Sequence, residues 1–163
     1  MVREEQPTFW GYTPHFGHIE VRMRAVITER SMFAFWMSGI EDRPERSGEI
    51  CVAEVFGSAV AGGRAEVGMG IRKFLDPRLT DEFATESLPI DISVDHTYAV
   101  RWVEDEVSFS VDGVVARLLG QAPDYPLQLM IGVFDFPARA GTRDGAVPVP
   151  ELFVSHVLGR PVD

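Results

Sequence analysis

The sequence predicts an all-β protein, an antiparallel β-sandwich with almost no helix. Three observations carry this. Apolar and polar residues alternate with period two in several short runs, clearest where Ile19, Val21, Met23 and Ala25 interleave with Glu20, Arg22 and Arg24. That alternation marks a strand with one buried face. Turn formers punctuate the runs, with 15 Gly and 11 Pro in 163 residues. Many short strands separated by turn signals argue for a sandwich rather than a bundle or a parallel sheet.

The runs follow in order. Residues 1–15 are polar with Phe9, Trp10 and Tyr12, and read as an arm or a short edge strand. Phe16 to Ile27 is the half-buried strand just described. Ser31 to Ile40 is more continuously apolar, as for a central strand covered on both faces. Glu41 to Ser47 is a charged loop broken by Pro44. Gly48 to Glu54 reads as a strand, and Gly57 to Gly63 as a small-residue turn. Arg64 to Phe74 alternates again around Gly68 and Gly70, where missing side chains leave room for a ligand ring. Asp76 to Ser87 is the best candidate for a helix or a long loop, and Pro89 to Val94 for a short strand. In the next strand Tyr98, Val100 and Trp102 share a face, with Arg101 opposite. Val107 to Val111 and Val114 to Leu119 flank Asp112-Gly113, a tight hairpin turn. Leu127 to Phe136 and Glu151 to Leu158 close the sheet, with a Gly-, Pro- and Arg-rich loop between them. At this length the chain is expected to form one domain, residues 1–163.

The chemistry concentrates in Gly48-Glu49-Ile50-Cys51-Val52-Ala53-Glu54. In a regular strand Glu49, Cys51 and Ala53 share one face and Glu54 points to the other. One extra residue, a β-bulge near Val52 or Ala53, resets the parity and brings Glu54 round to Glu49. Two converging carboxylates suit retaining glycoside hydrolysis, which needs them roughly 5 to 5.5 Å apart. The bland alternative leaves one Glu as a solvated strand residue.

The run resembles the active-site strand of glycoside hydrolase family 16, a Glu-x-Asp-x-x-Glu motif with a bulge, here Glu49, Cys51 and Glu54 with Cys in place of the central Asp. Ala34-Phe35-Trp36-Met37 resembles the family's AFWM segment. His96 to Trp102 followed by Val111-Asp112-Gly113 resembles its HTYAVEW…VDG block, and 126–131 and 153–158 its closing strands. The resemblance runs from about Phe16 to Leu158. It implies a concanavalin A-like jelly roll and a retaining endo-β-glycosidase acting on a neutral polysaccharide, such as a β-1,3- or mixed-linkage glucan. It also implies Glu49 as nucleophile and Glu54 as acid/base, with Trp36, Trp102 and Arg72 in contact with substrate. Each tryptophan has a competing reading as plain core. Met32 stands where the family has a further tryptophan, and Arg72 where it often has histidine.

Cys51 is the departure from the motif. Between two carboxylates a thiol is held protonated, so it reads as a packed neutral neighbour and not as a nucleophile or ligand. The departures at Cys51, Met32 and Arg72 keep open a catalytically weak or inactive carbohydrate-binding module. An interaction protein on the same scaffold is a third reading.

Composition narrows the partners. A formal net charge of −10 disfavours nucleic acid and anionic membranes, and favours neutral glucans or galactans over sulfated glycans. No apolar run approaches the roughly 20 residues of a membrane span. The first residues lack the apolar core of a signal peptide, whereas the resembling family is mostly secreted, so the compartment stays open. A single cysteine precludes an intrachain disulfide. His15, His18 and His96 lack the surroundings of a zinc site, so no metal or cofactor is expected. The resemblance allows a structural calcium ion but no Asp-rich loop places one. The chain is expected to act as a monomer on a polysaccharide or oligosaccharide.

Overall fold

The computed structural model describes residues 11–136 and 148–162. Among these residues eleven strands form two antiparallel sheets. They are β1 (Gly17–Val26), β2 (Ser31–Gly39), β3 (Glu49–Phe56), β4 (Val60–Ala61), β5 (Arg64–Arg72), β6 (Glu82–Leu88), β7 (His96–Val103), β8 (Glu106–Val111), β9 (Val114–Leu119), β10 (Leu127–Asp135) and β11 (Glu151–Arg160). One sheet has the order β11-β1-β7-β8-β9, the other β10-β2-β3-β5-β4, with β6 paired to β5. Among the described residues no helix is long and apolar enough to cross a membrane.

Alternation builds the core. Ile19, Val21, Met23 and Ala25 of β1 point inward, as do Tyr98, Val100 and Trp102 of β7, and they meet Phe33, Phe35 and Met37 of β2. Ile50 and Val55 of β3 and Val67, Met69 and Ile71 of β5 complete the facing layer, each at 0% exposure. Burying this much aliphatic and aromatic surface is the main stabilising contribution. The β8–β9 hairpin turns at Asp112 (φ 50) and Gly113 (φ 79), the positive angles a two-residue type I′ turn requires. The Asp112 carboxylate also accepts from the Thr97 amide at 2.8 Å and lies 2.6 Å from His96 Nδ1, which gives His96 a structural role in joining β7 to this turn.

Two segments differ from the sequence reading. Residues 76–87 form no helix: β6 begins at Glu82 and pairs with β5 from Ala65↔Leu88 to Ile71↔Glu82. The Glu- and Ala-containing run favours helix locally, but an available sheet edge overrides local preference. Pro89 to Val94 is not a strand. Asp91 turns the chain, its Oδ1 accepting from Ser93 N and its carbonyl from Val94 N, so Ile90 and Ile92 reach the core from a loop. The loop expected over 136–150 lies largely outside the described residues.

Candidate active site

β3 is positioned by its neighbours before its carboxylates do anything. The β2–β3 connection closes on Gly39 N donating to the Gly48 carbonyl at 2.9 Å. From the other side the Gly48 amide donates to Tyr125 Oη at 2.7 Å in a buried contact. A Cβ at Gly48 would collide with that hydroxyl and come 2.6 Å from Leu79 Cδ1, so glycine is required immediately before Glu49.

The bulge is where the sequence placed it. On the β2 side Phe35 pairs with Ala53 and Trp36 with Cys51, so Val52 is the extra residue. On the β5 side Cys51 pairs with Gly70 and Glu54 with Gly68, three steps against two. Val52 and Ala53 both turn into the core, at 1% and 0% exposure. The parity then flips, and Glu49, Cys51 and Glu54 emerge on the outer face of their sheet. One donor atom from each lies within 4.8 Å of the others.

The electrostatics of the cluster follow from its contacts. The Cys51 thiol donates to Glu49 Oε1 at 3.0 Å. Burial raises the Glu49 carboxyl above the ordinary carboxylate range, and the charge of Glu54 adds to the rise; the thiol bond and Arg72 oppose it. Burial, then the charge of Glu49, pushes the Cys51 thiol far up, so it stays protonated and serves as a donor. Arg72, opposite Glu49 in the register, reaches along the face to Glu54, with Nη2 at 3.2 Å from Oε2 and 3.5 Å from Oε1. Its guanidinium stacks on Phe83 at 4.0 Å from the ring centroid. The cluster thus pairs a guanidinium with Glu54 and a thiol donor with Glu49.

The structure sorts the remaining sequence candidates. Trp36 lies on the same outer face, beside Cys51 in the register. Trp102 does not: it is 0% exposed in the core, and its indole N–H donates to the Pro123 carbonyl at 3.0 Å. Substrate contact by Trp102 is therefore a misreading, because β7 belongs to the other sheet and the alternation aims this ring inward. The space suggested at Gly68 and Gly70 is also filled. A Cβ at Gly68 would come 2.5 Å from Phe83 Cζ, and Gly70 (φ 146) packs directly on the β6 backbone.

Four aromatic residues of this face escaped the sequence reading. Phe83 was hidden in a segment read as helix or loop. Phe134 and Phe136 were assigned only to a strand, and Phe56 follows Glu54 by two and was reachable by carrying the bulge parity one step further. Trp36 and Phe134 have centroids 6.0 Å apart, Phe134 and Phe136 6.5 Å, and Phe56 and Phe136 6.3 Å.

With the geometry in place, comparisons with known proteins give a consistent picture. The family described as glycosyl hydrolases family 16 matches residues 12–145. Among solved structures, the GlcNAcα1-4Gal-releasing endo-β-galactosidase from Clostridium perfringens superposes with a TM-score of 0.72 at 20% identity, covering 92% of this chain and 39% of that one. The Bacillus licheniformis β-glucanase gives 0.70 at 19% identity, covering 91% and 67%. The catalytic domain of an endo-1,3-β-glucanase (laminarinase) from Thermotoga petrophila RKU-1 gives 0.65 at 19%, covering 90% and 64%. No curated protein sequence matches the chain. At these identities the neighbours show the shared jelly-roll sandwich, and the chain spans only part of their length. The match over residues 12–145 is what places the sequence: this chain belongs to glycosyl hydrolases family 16.

Proposed function

We propose that the protein is a retaining endo-β-glycosidase acting on a neutral polysaccharide such as a β-1,3- or mixed-linkage glucan. The observation that carries this reading is the Val52 bulge, which turns Glu49 and Glu54 to one face with carboxylate oxygens inside 4.8 Å. Oxygens this close suit a nucleophile and an acid/base acting on one anomeric carbon. Glu49 attacks the anomeric carbon as the glycosidic C–O bond breaks, and Glu54 delivers a proton to the leaving oxygen. The product is an ester between the sugar and Glu49. Glu54 then takes a proton from water, whose oxygen attacks the same carbon and releases Glu49. The Cys51 thiol supports the ionised form of Glu49 through its 3.0 Å bond, though an S–H group donates weakly. Glu54 must exchange its bond to Arg72 for one to the leaving oxygen, so Arg72 sits where it contacts bound glycan.

That same Arg72–Glu54 pair, with the missing Asp at position 51, favours a second reading: a carbohydrate-binding module with weak or no turnover. Reducing-end release from soluble β-glucan, measured beside binding to the same polymer, separates the two. The hydrolase reading expects release that Glu49→Gln abolishes; binding without release supports the module.

A further inference from the structure

β11 is the outermost strand of its sheet. It pairs with β1 on one side and, among the described residues, with no strand on the other. A free edge is a template for another strand, and proteins keep such edges short or load them with charge and proline. β11 does neither. It runs ten residues. Between Glu151 and Arg160 its only titratable side chain is His156, and it holds no proline.

Its side chains are exposed on both faces. The register with β1 shifts between Arg22 and Met23, which makes Ser155 the extra residue of a bulge. Leu152, Val154, Val157 and Gly159 then oppose the core residues Ala25, Met23, Val21 and Ile19, so they face the other sheet. Phe153, His156 and Leu158 face outward. Yet Val154 is 42% and Val157 47% exposed. The other sheet ends beneath them at β10, whose Ile131 and Val133 are themselves only half-buried. On the outer face the Arg24 guanidinium covers one side of the Phe153 ring at 4.3 Å, but Phe153 stays 40% and Leu158 37% exposed. The sandwich is open along this side, and holding that apolar surface in water is unfavourable.

The order of residues along β11 is complementary to itself. With the bulge pair Ser155-His156 counted as one step, an antiparallel copy centred on His156 sets Glu151 against Arg160, Phe153 against Leu158 and Val154 against Val157. Leu152 meets Gly159, where the Tyr12 hydroxyl occupies the place of the missing side chain. The two members of every pair share a face, because the bulge resets the parity in the middle of the strand. Opposite charges meet at both ends. Both are spare, since among the described residues neither the Glu151 nor the Arg160 side chain has an ion pair or hydrogen bond. This is the reciprocity a two-fold interface needs, with residue i on j and j on i.

We propose that β11 pairs with β11 of a second copy about a two-fold axis, joining two five-stranded sheets edge to edge. This departs from the monomer expected from the sequence. Glu49 and Glu54 lie on the outer face of the other sheet, so the pairing leaves them open and does not depend on what binds there.

The test measures the mass of the full chain by sedimentation and light scattering across micromolar concentrations. The wild type is expected at twice the chain mass, dissociating on dilution. Val157→Lys puts a charge into the seam and is expected to give a monomer, with circular dichroism and thermal melts confirming the fold. Glu151→Arg and Arg160→Glu each bring like charges together at both ends, and each is expected to weaken the dimer about tenfold. Combining the two exchanges is expected to restore the parent affinity, which ties the contact to this antiparallel register. Both residues end an exposed strand, so this rescue remains readable even where Val157→Lys does not fold. A wild type that stays monomeric overturns the proposal, whether the edge is bare or meets a different partner. A dimer that survives a folded Val157→Lys, or a double exchange no tighter than the single ones, overturns it as well.

Discussion

Replacing Tyr125 with Phe removes the hydroxyl that holds the start of the candidate catalytic strand. The exchange removes one oxygen from a ring that is 1% exposed and leaves its shape unchanged, so no cavity opens. What is lost is the acceptor, 2.7 Å away, of the buried Gly48 amide, together with the hydroxyl's bond to the buried Asp76 carboxylate. A backbone N–H left without a partner in the interior costs about 1–3 kcal/mol. For a protein of this size each kcal/mol lowers Tm by roughly 2–4 °C, so Tyr125→Phe is expected to melt about 2–12 °C lower. Urea unfolding checks the free energy directly, and m should stay constant because the surface exposed on unfolding is the same. Gly48→Ala forces a methyl group against the same hydroxyl, and adding it to Tyr125→Phe should cost less than the two changes summed. A loss below about 0.5 kcal/mol for Tyr125→Phe, inside the range of a neutral substitution, refutes the reasoning that Tyr125 carries the Gly48 amide.

Other consequences follow from the site. Because burial raises the Glu49 carboxyl, the ionised form that the proposed mechanism needs is lost as pH falls through a value above the ordinary carboxylate range. The acid limb of kcat/KM should therefore lie higher than for an exposed glutamate, as a pH–rate profile will show. The same shift has a stability counterpart: the folded state holds the Glu49 proton more tightly than the unfolded state, so the ionised group destabilises the fold above its raised midpoint. Glu49→Gln should accordingly raise Tm at pH 8 and lose that advantage below the unfolded carboxylate value. Cys51→Asp puts a third acidic group beside Glu49, where the thiol now lies 3.0 Å from Oε1, and its like charge should move the acid limb upward by about one pH unit or more. Gly68→Ala pushes a methyl group to 2.5 Å from Phe83 Cζ; the overpacking should cost about 1–3 kcal/mol in urea unfolding and lower turnover, because Arg72 rides on the displaced ring.

The sandwich was legible because alternation is a local property. Ile19 to Ala25 and Tyr98 to Trp102 declare their buried face without reference to any partner. The bulge was legible for a different reason: two carboxylates five apart in an apolar strand are at odds with strict period two, and one extra residue resolves the conflict. What failed was non-local. Whether an inward-facing tryptophan meets ligand or core depends on which sheet its strand joins, and Trp102 belongs to the sheet without the carboxylates. Residues 82–88 pair with β5 through an edge that only the assembled sheet supplies. The aromatic layer gathers Trp36, Phe56, Phe134 and Phe136 from positions up to 100 residues apart.

The most direct test of the central claim is the anomeric configuration of the first sugar released. A soluble mixed-linkage β-glucan is digested with wild-type protein inside an NMR tube, and the anomeric proton signals are followed from the first minutes, before mutarotation mixes them. The proposed double displacement by two carboxylates with oxygens inside 4.8 Å on one face retains configuration, so the β-anomer is expected first and the α-anomer only later, with Glu49→Gln producing neither. Initial appearance of the α-anomer, or wild-type turnover by Glu49→Gln, contradicts the account.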